Sequence, residues 1–179
     1  MSSTSMDRAM KLAVVTGLRA ALGPALLAQS QNRPGRQNLA LAALGEMVFD
    51  KLPLVPGRDT LLPLLARAVA GGWVAGQCVE GDGDAKDPWA VPMGAAVAMG
   101  VAVAAPKIRR SLGWTTGTSQ VVLGLIEDFI ALKIGAEAVG LSMNQVGGAA
   151  RESVDDLAER YHVAIPGLSH PQSAGAGSM

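Results

Sequence analysis

Arg19, Glu46, Asp50, Arg67, Glu127 and Asp128 all lie inside apolar stretches, among Ala, Leu, Val and Gly. An arginine placed as in "TGLRAALGPALLAQS" (Thr16–Ser30) has two physical explanations. In water it is an ordinary surface residue. At the centre of a membrane helix a charge costs roughly 2.5–3.5 kcal/mol on insertion scales, so it turns inward, pairs with an opposite charge or lines a watery cavity. Glu46 and Asp50 are four residues apart and project from one helix face. Lys133 and Glu137 have the same spacing and pair locally, which leaves Glu127 and Asp128 to meet Arg19 or Arg67. A polar intramembrane cluster of this kind supports two uses. It can line a path for an ion, a proton or a polar solute, or it can fix helix register with no traffic through it. Adjacent acids exceed what two arginines need, and that excess favours the path.

The elements that carry these residues are five apolar segments: Leu12 to Ala28, Asn38 to Leu52, Leu61 to Val79, Ala90 to Pro106 and Ser119 to Leu141. The first, at 1.5 Å per residue, is roughly 25 Å long, just short of a typical hydrocarbon core. The second is shorter, and the fourth has no charge at all. "QNRPGRQ", "LPLVPGRD", "EGDGDAKDP" and "KIRRSLGWTTGT" separate them and read as loops, combining Gly and Pro with charge. No strand alternation appears, and alanine outnumbers the β-branched residues. Pro24, Pro63 and Pro92 lie in or near the ends of apolar runs, where membrane helices tolerate them.

Composition agrees with lipid surroundings. Charged residues make up 17% of the 179 residues, below the soluble norm of about 25%. Lys plus Arg balances Asp plus Glu at 15 each, so no global field points to nucleic acid or to acidic partners. Cys78 is the only cysteine, which excludes an internal disulfide and a thiolate metal site. The acidic loop at Asp82, Asp84 and Asp87 lacks the twelve-residue calcium pattern. His162 and His170 have no ligand partners at metal spacing. No phosphate loop, zinc-protease helix or serine elbow occurs, so the sequence calls for no cofactor and no catalytic residue. Arg19 interrupts the apolar run that follows Arg8 and Lys11, so that run reads as a retained helix rather than a cleaved signal.

With five spans, the N-terminus and the second and fourth loops share one side and collect Arg8, Lys11, Lys51, Arg58, Lys107, Arg109 and Arg110. Basic loops stay inside, which places the N-terminus in the cytoplasm. Trp89 and Trp114 flank the fourth segment as interfacial aromatics do, whereas Trp73 sits mid-segment beside Gly71, Gly72 and Gly76. "GWVAG" and "GAAVAMGVAVAA" have the small-residue spacing of close helix packing. In "ARESVDDLAERYHVAI" the residues Val154, Leu157, Ala158 and Tyr161 fall at helical spacing, as in an amphipathic helix.

Three stretches, "GLRAALGPALLA" (Gly17–Ala28), "LGEMVFDKLPLVPGR" (Leu44–Arg58) and "LIEDFIAL" (Leu125–Leu132), resemble an uncharacterised family of bacterial integral membrane proteins known as domain of unknown function 4126. The similarity covers residues 10–142, and its most distinctive element is Asp50–Pro53. It implies a membrane protein and supplies no activity. "ALGEMVFDKL" and "VLGLIEDFIAL" echo one another, each placing Leu-Gly before acids, as halves of an inverted transporter repeat would.

The sequence thus predicts an all-α, polytopic transmembrane bundle of about five spans in a bacterial cytoplasmic (inner) membrane. Residues 1–10 form a cytoplasmic segment, 11–142 the transmembrane domain, 143–165 an amphipathic segment and 166–179 a flexible tail. The expected activity is that of a small transporter or channel-like protein. The alternative is a non-catalytic accessory subunit that binds a partner membrane protein or a second copy of itself. The lipid bilayer is the expected partner in both cases.

Overall fold

The computed structural model describes residues 5–49, 61–81 and 87–161. Asp50 and the rest of the Asp50–Pro53 element lie outside the described residues, as do most of the acidic loop, both histidines and the C-terminal tail. Seven helices follow one another, with no strand among the described residues: α1 (Ser5–Leu18), α2 (Leu22–Ser30), α3 (Arg36–Phe49), α4 (Leu61–Gly81), α5 (Ala90–Thr116), α6 (Gln120–Ala138) and α7 (Met143–Tyr161). The all-α expectation holds.

Helix starts are written by proline. Pro24 and Pro92 are each the third residue of α2 and α5. A first-turn N–H has no intrahelical partner, so losing it costs little there, while the ring excludes the carbonyl four residues back. A proline therefore stops the helix from extending backward. Helix ends use other chemistry. Gly117, at φ 67°, closes α5 and donates its N–H to the Gly113 carbonyl at 3.0 Å. Ser142 and Gln145 cap α7 reciprocally: Ser142 Oγ accepts the Gln145 N–H at 3.3 Å, and Gln145 Oε1 accepts the Ser142 N–H at 2.8 Å.

Two expectations need correction. The apolar segment Leu12–Ala28 is two helices, not one: the backbone breaks at Arg19–Ala21, where the ring of Pro24 disfavours a helical carbonyl at Ala20. Lys107–Thr116 is helical rather than a loop, because α5 runs on past Pro106 until Gly117 supplies a stop.

α1 is the central rod and packs against α4, α5 and α6; α2 rests on α3, and α7 lies mainly on α3. α4 and α5 meet at a glycine crossing. A Cβ on Gly94 would stand 2.6 Å from the Gly71 carbonyl, and one on Gly71 would stand 2.8 Å from the Gly94 carbonyl. Gly17 brings α1 just as close to α5, with an added Cβ 2.6 Å from the Ala98 carbonyl. Of the small-residue spacings in the sequence, Gly94, Ala98 and Ala102 form the buried face of α5, while Gly72 and Gly76 face Val91.

The faces of several helices are reversed relative to a water-soluble bundle. On α6, Gly124, Asp128, Ala131, Gly135 and Ala138 point inward at helical spacing. Val121, Val122, Leu125, Ile126, Phe129 and Ile130 of the same helix are exposed. α5 turns Val91, Met93, Met99, Val103, Ile108 and Leu112 outward. Two helices, α4 and α5, are long and apolar enough to cross a membrane, with mean hydropathy of 1.2 and 1.6 over their best windows. The expectation of five spans is not met. α1 (14 residues), α2 (9) and α3 (14) are each too short for a single crossing, and α6 carries Glu127, Asp128, Lys133 and Glu137.

Candidate functional site

The break between α1 and α2 creates the site. The Arg19 N–H still donates to Val15 O at 2.8 Å and so ends α1, while the Leu22 N–H turns to Arg19 O at 3.1 Å. A continuous helix would have sent the Ala20 and Ala21 N–H groups to the carbonyls of Thr16 and Gly17. Instead both donate to one carboxylate: Ala20 to Glu46 Oε1 at 3.0 Å and Ala21 to Glu46 Oε2 at 2.9 Å. Ala21 is the N-cap of α2, so this carboxylate sits at the positive end of that helix. Arg67, from the buried face of α4, adds its Nη2 to Glu46 Oε1 at 3.1 Å and its Nη1 to the Pro63 carbonyl at 3.5 Å.

On the other side of the corner, Arg19 is 1% exposed and donates from Nε to Asp128 Oδ1 at 2.6 Å. Its Nη2 reaches the same oxygen. Burying two charges is costly, and what makes it tolerable here is mutual neutralisation at hydrogen-bond distance. Residue 127 projects about 100° around the helix from residue 128. Glu127 accordingly faces α5 and accepts from Arg109 Nη1 at 3.3 Å.

The three ion pairs form one seam. It runs from Arg109–Glu127 through the neighbouring Asp128–Arg19 to the Ala20–Ala21 corner and Glu46–Arg67. The structure thus brings Arg19, Glu46, Arg67, Glu127 and Asp128 into one seam, and Asp50 lies outside the described residues. The pairing itself differs from the expectation. Glu127 is paired with Arg109, which the sequence reading places in a loop. With Arg109 included, the seam holds three arginines and three carboxylates, so the apparent excess of acid is gone. Lys133 and Glu137 are both exposed, and no ion pair joins them among the described residues.

Sequence reasoning also missed the two backbone donors. Their signal was Pro24, which forces the break and frees the N–H groups just before it. At the two ends of the seam, the Nε atoms of Arg67 and Arg109 are buried and find no acceptor among the described residues.

Two residues outside the seam take other roles. Arg8 donates from Nε to the Ala138 carbonyl at 3.0 Å, capping α6 with a positive charge. Trp73 does not merely fill space beside glycine: the Arg33 guanidinium stacks over its ring at 5.7 Å while Nη2 bonds Gln77 Oε1 at 2.5 Å. Among the described residues no three His, Cys, Asp or Glu side chains converge on a point that would hold a metal ion.

No family model matches the chain, and neither a curated protein nor a solved structure shows significant similarity to it.

Proposed function

We propose that the chain is an integral membrane protein of the bacterial cytoplasmic membrane and that its ion-pair seam locks the helices in register. α4 and α5 cross the bilayer as single helices, and α1–α2 and α6 enter against them with their charges paired. The observation that carries this reading is the reversal of faces on α5 and α6. Large apolar side chains cover the outside, and alanine, glycine and Asp128 fill the inside. In water an exposed surface of that extent would be a liability, and in lipid it is the solvated face. Only 22% of the apolar window of α5 is buried, unlike the core helix of a soluble protein. With α4 and α5 as the crossings, the acidic stretch between them, whose one basic residue is Lys86, lies outside and the N-terminus in the cytoplasm; membership of the family of unknown function named above is part of the same proposal.

The balance of three arginines with three carboxylates supports a lock over a pathway, since every carboxylate of the seam is held by a neighbouring guanidinium. It fits a non-catalytic accessory protein. A second reading, passage of a small anion or polar solute, is favoured by one specific observation. A broken helix presents free N–H groups to a carboxylate, as discontinuous helices in transporters do, and buried guanidinium donors lie at both ends of the seam.

Two experiments separate these possibilities. In a carbonate wash of cell membranes the protein stays in the pellet; recovery in the supernatant overturns the membrane reading. Liposomes containing the purified protein show proton, chloride and potassium fluxes equal to those of empty vesicles if the seam is a lock. A protein-dependent flux abolished in a folded Glu46→Gln variant establishes passage instead.

A further inference from the structure

Away from the seam, α2, α3 and α7, with Leu132 of α6, line a half-open apolar cavity of about 200 Å³. We infer that it is a binding site for a small uncharged amphiphile: a short hydrocarbon chain or ring bearing one oxygen, with Gln29 meeting the oxygen. An engineered cavity of about 150 Å³ lined by aliphatic residues stays dry and binds benzene, so this one has room for a guest of similar or slightly larger size. It is below the roughly 300–1,000 Å³ of pockets that take drug-sized molecules, which excludes a whole lipid.

The lining sets the chemistry. Among the described residues, Gln29 is the only polar side chain on the wall, and the remainder is Ala, Leu, Met, Val and Gly. A water molecule needs two to four polar partners, and one amide at the edge does not supply them deeper in. An amide can both donate to and accept from an alcohol, ester or ketone oxygen, and it gives no charge to a carboxylate or an ammonium group. Met47 and Met143 sit on opposing helices and supply flexible, polarizable walls that adapt to a guest's shape.

Gly17, Gly71 and Gly94 have no room for a Cβ, whereas a Cβ on Gly147, an exposed residue of the cavity lining, would have nothing within 4 Å. Glycine inside a helix costs about 1 kcal/mol relative to alanine. At the crossings close approach explains that cost; at Gly147 packing does not. α7 and α3 are both lightly seated, with one buried residue each, Ser153 and Ala43, so this wall can part to admit a guest. None of this depends on the membrane reading or on the seam.

The test is photolabelling of the purified full chain with an octanol carrying a diazirine, followed by peptide mass spectrometry. Labels concentrated on peptides spanning 40–47 and 143–150, and competed by excess 1-octanol, support the site. Filling the cavity with Ala150→Leu, a half-buried lining residue of α7, lowers that labelling about tenfold, with helicity and Tm unchanged or raised. Ala40→Leu, which fills it from α3, does the same and guards against a local effect on α7. Gln29→Ala lowers labelling about fivefold, the worth of one hydrogen bond. Labels spread evenly over the exposed faces of α5 and α6, or undiminished in both filled variants, overturn the proposal.

Discussion

The α1–α2 corner and the α4–α5 crossing hold helices together in opposite ways. At the corner the backbone is interrupted, and side-chain charges supply what the helix lost: Glu46 takes two N–H groups and Arg19 finds Asp128. At the crossing the backbone is intact, and glycine lets it touch another backbone directly, with no polar side chain involved. The first attachment is directional and fails badly when one partner goes. The second is a matter of shape, and its failure scales with the volume added.

Truncating one side of the buried pair produces the largest effect. Asp128→Ala or Arg19→Ala leaves a buried charge with no counter-charge and costs about 3–5 kcal/mol in chemical denaturation. The double variant Arg19→Met with Asp128→Leu recovers most of that loss, because an apolar pair of similar size avoids the desolvation cost altogether. If the double variant is as unstable as the sum of the singles, the pair is not one coupled unit.

The crossing comes next. Gly94→Ala and Gly71→Ala each push a methyl group against a facing backbone and cost about 1–3 kcal/mol, the range for overpacking. Gly147→Ala, in open space, is neutral or stabilising in the same assay, since it removes a helix glycine without a clash. Equal losses at all three positions would remove the distinction between packing glycines and spacing glycines.

Glu46→Gln has a smaller effect. The amide oxygen still accepts one N–H of the corner, but the charge toward Arg67 and the second acceptor are lost, for about 1–2 kcal/mol. The smallest effect is at the surface. Lys11→Ala breaks an (i, i+4) pair with Asp7 whose side chains are about half exposed, and it changes stability by less than about 0.5 kcal/mol.

Much of this architecture is legible in the sequence. Alanine-rich apolar runs without alternation give helices, and charges within them give buried pairs. The charged residues of the seam were recognisable because their neighbours were so consistently apolar. The break at Arg19 was less so. Pro24, Pro63 and Pro92 look alike in composition, yet only Gly23 separates the first from the apolar run before it, so the boundary it sets is hidden. Arg109 was obscured for the opposite reason. Basic residues near Gly and Pro read as a loop, and nothing local reveals that α5 continues through Pro106. The number of spans was overcounted because hydropathy registers apolar residues and not whether they form one rod. The cavity has no sequence signature at all, since its walls come from four helices and its volume depends on what is missing from them.

Glu127 and Asp128 are neighbours that grasp arginines in different places, Arg109 on α5 and Arg19 just past the end of α1. Their consecutive placement sets the azimuth of α6: turning the helix to ease one carboxylate away from its arginine swings the other by the same angle. Inserting a single alanine after Leu123 would rotate both by about 100° and release the two at once, whereas a sideways glide of α6 could be tolerated only if α1 and α5 travelled with it.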